Sequence, residues 1–207
     1  MWVNLTPYGQ GYQLDQRYLS PDRIKLRFLT VDPAASVADT ADYTVVSAWG
    51  LSDADDLLWL DCHRGRWEVP DIAGQIVPLF ERHRCSFVAI EGGGTQKGIV
   101  QLCQRHSRLG YTAVREVSPE GKDKLVRATP ALNLAASGKL WLPSDDPPWL
   151  DAVLGELLRF TGDAKQDAHD DIVDTLSYAA LVSRQYGDSE QQAFAPYVTP
   201  SHGGAYR

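Results

Sequence analysis

Arg23-Ile24-Lys25-Leu26-Arg27-Phe28-Leu29-Thr30-Val31-Asp32-Pro33 is the stretch on which the fold reading turns. Ile24, Leu26 and Phe28 alternate with Lys25 and Arg27, and then Leu29 and Val31 make the opposite face apolar as well. Alternation that thickens into a continuous apolar run describes a strand that starts at a solvated margin and becomes central. Pro33 has no amide hydrogen for a ladder, so the strand ends with the acid Asp32 at its C-terminal tip. Beyond a loop of small residues, Tyr43 to Trp49 and Leu57 to His63 are two more β-rich runs, separated by Gly50-Leu51-Ser52-Asp53. Three strands joined this closely predict an antiparallel meander.

The period then changes from two to 3.6. Pro70 and Asp71 open a segment with Ile72, Ile76, Val77, Leu79 and Phe80 at helical spacing, with Pro78 expected to kink it. Phe87-Val88-Ala89-Ile90-Glu91 reads as a short strand buried on both faces, stopped by Gly92-Gly93-Gly94. Ile99, Leu102, Cys103, His106 and Leu109 form the next helical stripe, with Gly110 as its C-terminal cap. Thr112 to Val117 predicts a further strand, and Lys122 to Ala136, Trp149 to Phe160 and about Asp170 to Tyr186 predict helices. A meander followed by strand-helix crossovers gives an α/β fold: a mixed sheet of five strands or more, with helices on both faces. Residues 1–22 read as a loosely held lead-in or linker remnant, 23–186 as the folded domain, and the polar segment 187–207 as a mobile tail.

The 207 residues are enough for a core without staples, and the three well-separated cysteines, Cys62, Cys85 and Cys103, fit buried thiols in a reducing compartment rather than disulfides or structural zinc. No apolar stretch approaches the roughly 18 residues that span a bilayer, and Met1 to Gln13 lacks the basic and apolar regions of a signal peptide, which predicts a soluble, unsecreted protein without a membrane partner. A net charge of −7 argues against bulk attraction to nucleic acid, but the charge is unevenly distributed. Lys97 to Lys139 carries +5 and the remainder −12. That asymmetry suits a basic surface beside an acidic cluster, in which Lys97, Lys122, Lys124 and Arg127 are the candidate phosphate contacts. Walker A, G-x-S-x-G and H-E-x-x-H motifs are all missing, which removes a nucleotide motor and the simplest hydrolase and zinc-protease readings.

The acids carry the chemistry. If the first and fourth core strands are parallel neighbours, their tips bring Asp32 and Glu91 together, while Asp171, Asp174 and position 178 share one face of the last helix. Carboxylates gathered without a local basic partner are costly unless Mg²⁺ or Mn²⁺ neutralises them. A pair of such ions about 3.5–4 Å apart can activate water and stabilise a leaving phosphate oxygen. Each acid also has an ordinary structural reading: Asp170, Asp171 and Asp174 suit a helix N-terminus, and Asp32-Pro33 and Asp42 suit turns. His169 stands before the acidic group, where it is a candidate ligand or simply a helix-entry residue. The glycines after Glu91 would let a phosphate backbone approach, or make a tight strand-to-helix turn.

Four segments in order resemble the C-terminal nuclease domain of the large terminase subunit of tailed bacteriophages, in the ribonuclease H-like superfamily. They are Leu29-Thr30-Val31-Asp32-Pro33-Ala34 with Asp42-Tyr43-Thr44; Ala89-Ile90-Glu91 and its glycines; Lys124-Leu125-Val126-Arg127-Ala128 leading to Gly138-Lys139-Leu140-Trp141-Leu142-Pro143; and His169-Asp170-Asp171-Ile172-Val173-Asp174-Thr175-Leu176. The resemblance spans roughly Ile24 to Arg184. It implies a metal-dependent endonuclease that cuts double-stranded viral DNA concatemers during packaging, in the cytoplasm of the bacterial host. Asp32, Glu91 and Asp171 would be its catalytic carboxylates, binding two Mg²⁺ or Mn²⁺ ions with Asp174; Asp170, Asp42 and His169 follow as further ligand or supporting candidates. The adjacent aspartates leave the register between Asp170 and Asp171 open. One ion would generate the attacking hydroxide and the other stabilise the 3′-oxygen leaving group. Relatives carry a packaging ATPase and work with a portal and a small terminase subunit, so these are the implied partners. A Holliday-junction resolvase on the same fold and a catalytically silent DNA-binding module are the competing readings, with a sugar-kinase-like phosphotransferase behind them.

Overall fold

A computed structural model describes residues 2–8, 11–17, 19–34, 42–93, 96–118, 123–163, 166–167 and 170–187. His169, Lys122 and Gly94 lie outside the described residues, as does nearly all of the segment read as a tail.

The meander forms as the alternation predicts: β3 (Ile24–Asp32), β4 (Thr44–Ser52) and β5 (Leu57–Gly65) pair antiparallel in sequence order. All nine residues of β4 are buried, because it is covered on both faces. After α1 (Val69–Arg82), β6 (Phe87–Glu91) returns to pair parallel with β3, and after α2 (Lys97–Arg105), β7 (Val114–Val117) pairs parallel with β6. The chain then makes α3 (Lys124–Ala136), β8 (Leu140–Pro143), α4 (Leu150–Arg159) and α5 (Asp171–Gly187).

Three features differ from the sequence reading. Residues expected to be a loose lead-in carry the antiparallel hairpin β1 (Trp2–Tyr8) and β2 (Gly11–Arg17). β8, within the segment Gly138–Pro143, borders the meander on its β5 side: it pairs parallel with β5 and antiparallel with β1. Four residues are too few to display a period, so β8 had no legible signal beyond its apolar character. Among the described residues the sheet therefore has eight strands, in the order β2-β1-β8-β5-β4-β3-β6-β7. Third, α2 stops at Arg105 rather than running to Leu109, because His106 adopts extended backbone angles. Gly110, at φ +74°, makes the turn into β7 instead of capping the helix. Pro78 lies inside α1, which continues past it to Arg82.

Each face of the sheet has its own core. Phe28, Val45, Trp49, Trp59 and Phe87 meet α3, α4 and α5 through Ala131, Val153, Ile172, Leu176 and Ala179. Leu29, Val31, Val46, Val88 and Ile90 meet α1 and α2 through Ile72, Ile76, Leu79, Ile99 and Cys103. All three cysteines are free and buried, and burial pushes their thiols up to about 12, 12 and 11. Among the described residues no helix is long and apolar enough to cross a membrane.

Buried hydroxyls fix how α5 lies on the sheet. The Trp49 indole donates to Thr30 Oγ1 at 2.7 Å, and that hydroxyl donates to the Thr175 carbonyl of α5 at 3.0 Å. The Thr175 hydroxyl donates to Ile172 O and lies 3.0 Å from Ser47 Oγ on β4. These contacts replace an apolar interface that could slide with paired groups that cannot shift without being orphaned.

Candidate active site

Register explains why two carboxylates meet. In the parallel β3/β6 pair, Val31 stands opposite Ile90, so the next residues, Asp32 and Glu91, leave the sheet side by side at its C-terminal edge. The two carboxyls are close enough to act strongly on each other. Burial first, then the Glu91 charge, the Asp174 charge and the hydrogen bond to Glu91, push the Asp32 carboxyl well above the ordinary range.

α5 brings the remaining acids to this edge. Its N-terminus is held by Glu156 of α4, whose Oε1 accepts from Ile172 N at 2.7 Å and Val173 N at 3.0 Å. Asp171 is buried, its Oδ2 accepting from Tyr43 N at 3.1 Å and lying 3.8 Å from Arg64 Nη2. Burial raises the Asp171 carboxyl against that amide bond, and the nearby Asp42 charge adds to the rise. Asp42 itself is exposed beside the edge. Asp174, one turn along, is pushed up to about 7 by burial, with Arg127 opposing. The carboxyl of Asp32 feels both Asp174 and Asp171.

Asp170 is paired with a lysine, and its charge acts on both Asp171 and Asp174. Lys124 Nζ lies 2.6 Å from its Oδ1 and 2.5 Å from its Oδ2, and this bond keeps the lysine charged although burial opposes it. Arg127 Nη1 lies 3.1 Å from Asp174 Oδ1 and donates to the Tyr178 hydroxyl at 3.2 Å. Tyr178 is buried near Glu91; burial first, then the Glu91 charge, push its hydroxyl upward. Arg127 therefore joins Asp174 to Tyr178, and the charges of Glu91 and Asp32 act on the same group of side chains.

Two of the predicted phosphate contacts, Lys124 and Arg127, thus sit on the acidic cluster as counter-ions. Lys97 is exposed in the first turn of α2, and Gln96 just before it donates to the Pro33 carbonyl at 2.8 Å, tying that helix start to the tip of β3. Gly92 has a structural reason to be glycine: a Cβ there would come within 2.1 Å of Glu116 Cγ on β7.

Arg64, Glu156 and Tyr178 were not singled out as site residues from the sequence. Tyr178 had a signal, its place one turn beyond Asp174 on the face that carries Asp171. So did Glu156, a lone acid among Leu150, Val153, Leu154 and Leu157. Arg64 had none, because its role depends on the strand order.

A hard dication suits this donor set: carboxylate oxygens, largely withdrawn from water and pressed together so that ionisation is resisted. Among the described residues no three acidic, histidine or cysteine side chains already surround one point. Asp174 is engaged by Arg127, Asp171 by the Tyr43 amide, and Asp32 and Glu91 by each other.

The fold is shared with viral nuclease domains. The human cytomegalovirus terminase nuclease domain is 16% identical, with a TM-score of 0.57 over 76% of this chain and 83% of that one. The large terminase nuclease of thermophilic phage G20c with bound magnesium is 19% identical, with a TM-score of 0.56 over 86% of this chain and 92% of that one. The nuclease domain of the large terminase subunit gp2 of bacterial virus Sf6 is 10% identical, with a TM-score of 0.56 over 76% and 88%. Among curated proteins no sequence matches. The terminase RNase H-like domain profile matches residues 29–182, from the strand that ends in Asp32 through the helix that carries Asp171 and Asp174, and the chain belongs to that family.

Proposed function

We propose that the chain is a divalent-metal-dependent endonuclease that hydrolyses phosphodiester bonds of double-stranded viral DNA, cutting concatemers during genome packaging. The observation that carries this reading is the meeting of Asp32 and Glu91, delivered by parallel register, with Asp171 and Asp174 from α5. Family membership and the nuclease fold support it, as do the magnesium, manganese and zinc named with related terminase nuclease structures.

Asp32, Glu91 and Asp171, together with Asp174, would hold Mg²⁺ or Mn²⁺. When bound, two such ions supply water activation and neutralise charge on the leaving oxygen. The protein's own groups do the positioning. Tyr178 orients the Glu91 carboxylate, Arg127 restrains Asp174, and the fixed N-terminus of α5 sets Asp171. Lys124 on Asp170 accounts for that acid, so of the two adjacent aspartates Asp171 is the proposed ligand and Asp170 the partner of a lysine. Lys97, Lys124 and Arg127, with Lys122 from the same basic segment of the sequence, are proposed as contacts for the DNA backbone, positioning the duplex without reading its sequence. His169 and Asp42 are proposed as supporting residues of the site. The nuclease domain is taken as residues 23–186, working with a packaging ATPase, a portal and a small terminase subunit in the cytoplasm of a bacterial host.

Supercoiled-plasmid cleavage tests this. Wild type is expected to nick and linearise DNA with Mg²⁺ or Mn²⁺ and to stop in EDTA. Folded Asp32→Asn, Glu91→Gln and Asp171→Asn variants are expected to lose the activity. A folded, metal-supplied wild type that never cuts linear, supercoiled or four-way-junction DNA defeats the reading.

A further inference from the structure

We propose that Glu156 is a positioning residue of the acidic site, setting Asp171 and Asp174 through the reach of its carboxyl to the start of α5 rather than through its charge. The inference rests on the metal-nuclease reading of that site.

Helix N-termini are normally capped by the side chain immediately before them. Here that side chain is Asp170, and it is taken by Lys124. The acceptor is instead Glu156, from a different helix and 16 residues earlier, which bonds two successive amides, Ile172 N and Val173 N. Glu156 is 4% exposed, so these bonds are shielded from bulk solvent. α5 is thereby fixed at the residues next to Asp171 and within one turn of Asp174.

The second oxygen argues against charge as the reason for the residue. Among the described residues no hydrogen bond reaches Glu156 Oε2, and its nearest cation, Arg64 Nη2, is 3.8 Å away, beyond hydrogen-bonding distance. The same nitrogen is 3.8 Å from Asp171 Oδ2, and the Arg64 guanidinium is stacked 4.0 Å over the Tyr43 ring. Tyr43 in turn donates its amide to Asp171 Oδ2. Asp171 is therefore bracketed from two sides: Glu156 sets the backbone from which it projects, and the Tyr43 segment sets its carboxylate. The amide bonds use one oxygen only, which a neutral amide of the same length supplies equally well.

Two substitutions separate reach from charge. Glu156→Gln keeps the length and the accepting oxygen and loses the charge; Glu156→Asp keeps the charge and is one methylene too short to hold both amides. Mn²⁺ binding is measured by titration calorimetry on the folded, DNA-free chain, alongside hydrogen exchange at the Ile172 and Val173 amides. Glu156→Gln is expected to bind Mn²⁺ as wild type does, with unchanged exchange. Glu156→Asp is expected to exchange faster at both amides and to bind about 10-fold more weakly, the lower end of what an outer-shell partner contributes. Wild-type-like binding by Glu156→Asp, or weakened binding by Glu156→Gln, overturns the proposal. If Glu156→Asp does not fold, Glu156→Gln decides: wild-type-like binding and exchange support the proposal, and a loss overturns it. A wild type that binds no Mn²⁺ defeats the metal reading and the proposal with it, whereas a wild type that binds and a Glu156→Asp that binds equally defeat the proposal alone.

Discussion

Replacing Thr30 with valine tests whether α5 is held to the sheet by its buried hydroxyls. The two side chains have nearly the same shape, so the change deletes one oxygen from the centre of the molecule. Thr30 and Trp49 are fully buried, and the Trp49 indole N–H has Thr30 Oγ1, 2.7 Å away, as its acceptor. Orphaning that donor is expected to cost about 1–3 kcal/mol, and losing the Thr30 bond to the Thr175 carbonyl about 1 kcal/mol more. The sum, about 2–4 kcal/mol, corresponds in a domain of this size to a fall in Tm of about 4–16 °C. Urea unfolding is the assay: the midpoint should drop at unchanged m, since the surface exposed on unfolding is the same. A cycle with Trp49→Phe isolates the interaction, because in the phenylalanine background there is no indole to orphan; a coupling of about 1–2 kcal/mol is expected. A loss below about 0.5 kcal/mol, or an equal loss in both backgrounds, would refute the claim that this network holds the helix.

Other consequences can be checked singly. Tyr178→Phe removes the hydroxyl between Glu91 and Arg127 and is expected to weaken Mn²⁺ binding about 10-fold in calorimetry; unchanged affinity would reduce Tyr178 to packing. Gly92→Ala drives a methyl into Glu116 and should cost about 1–3 kcal/mol in thermal unfolding, with relief in the Gly92→Ala/Glu116→Ala double variant and none if the backbone rather than Glu116 is the obstacle. Metal-free stability should fall with rising pH on account of Glu156. Its carboxyl is raised from 4.5 to about 7 in the folded state, so its stabilisation is complete below pH 4.5 and is lost as pH rises through about 7. At 1.36 kcal/mol per unit that is at most about 3 kcal/mol, read in EDTA as wild type losing stability relative to Glu156→Gln as pH rises; a wild type that gains on the variant with rising pH contradicts the assignment. Asp174 works in the same direction, being raised by burial to about 7. Asp61 works oppositely: burial would raise it, but the His83 hydrogen bond and the His63 and His83 charges lower it, so its stabilisation is present above the unfolded value and lost on acidification.

Much of the site was legible because it depends on strand direction. Once the β3 run is read as a strand ending at Asp32 and the Phe87 run as its parallel neighbour, Asp32 and Glu91 must emerge together, and the β3/β6 pairing bears this out. The acidic face of α5 was equally legible from helical spacing. The hairpin and β8 were not, since short edge strands carry little periodicity. Nor were the partners of Lys124 and Arg127. As sequence they belong to a basic segment, whereas folded they lie against acids 46 and 47 positions away.

The sequence by itself determined the α/β class, the antiparallel meander, the strand and helix that carry the acids, and the acids themselves. These follow from local periodicity and from where polar residues interrupt it. Tertiary structure alone decided which charges face which: that Asp170 takes Lys124, that Arg127 links Asp174 to Tyr178, and that a glutamate of α4 holds the start of α5. Such choices arise from packing three helices on one face of a sheet, where a side chain's partner is set by burial and distance in space, and nothing in the spacing along the chain encodes it.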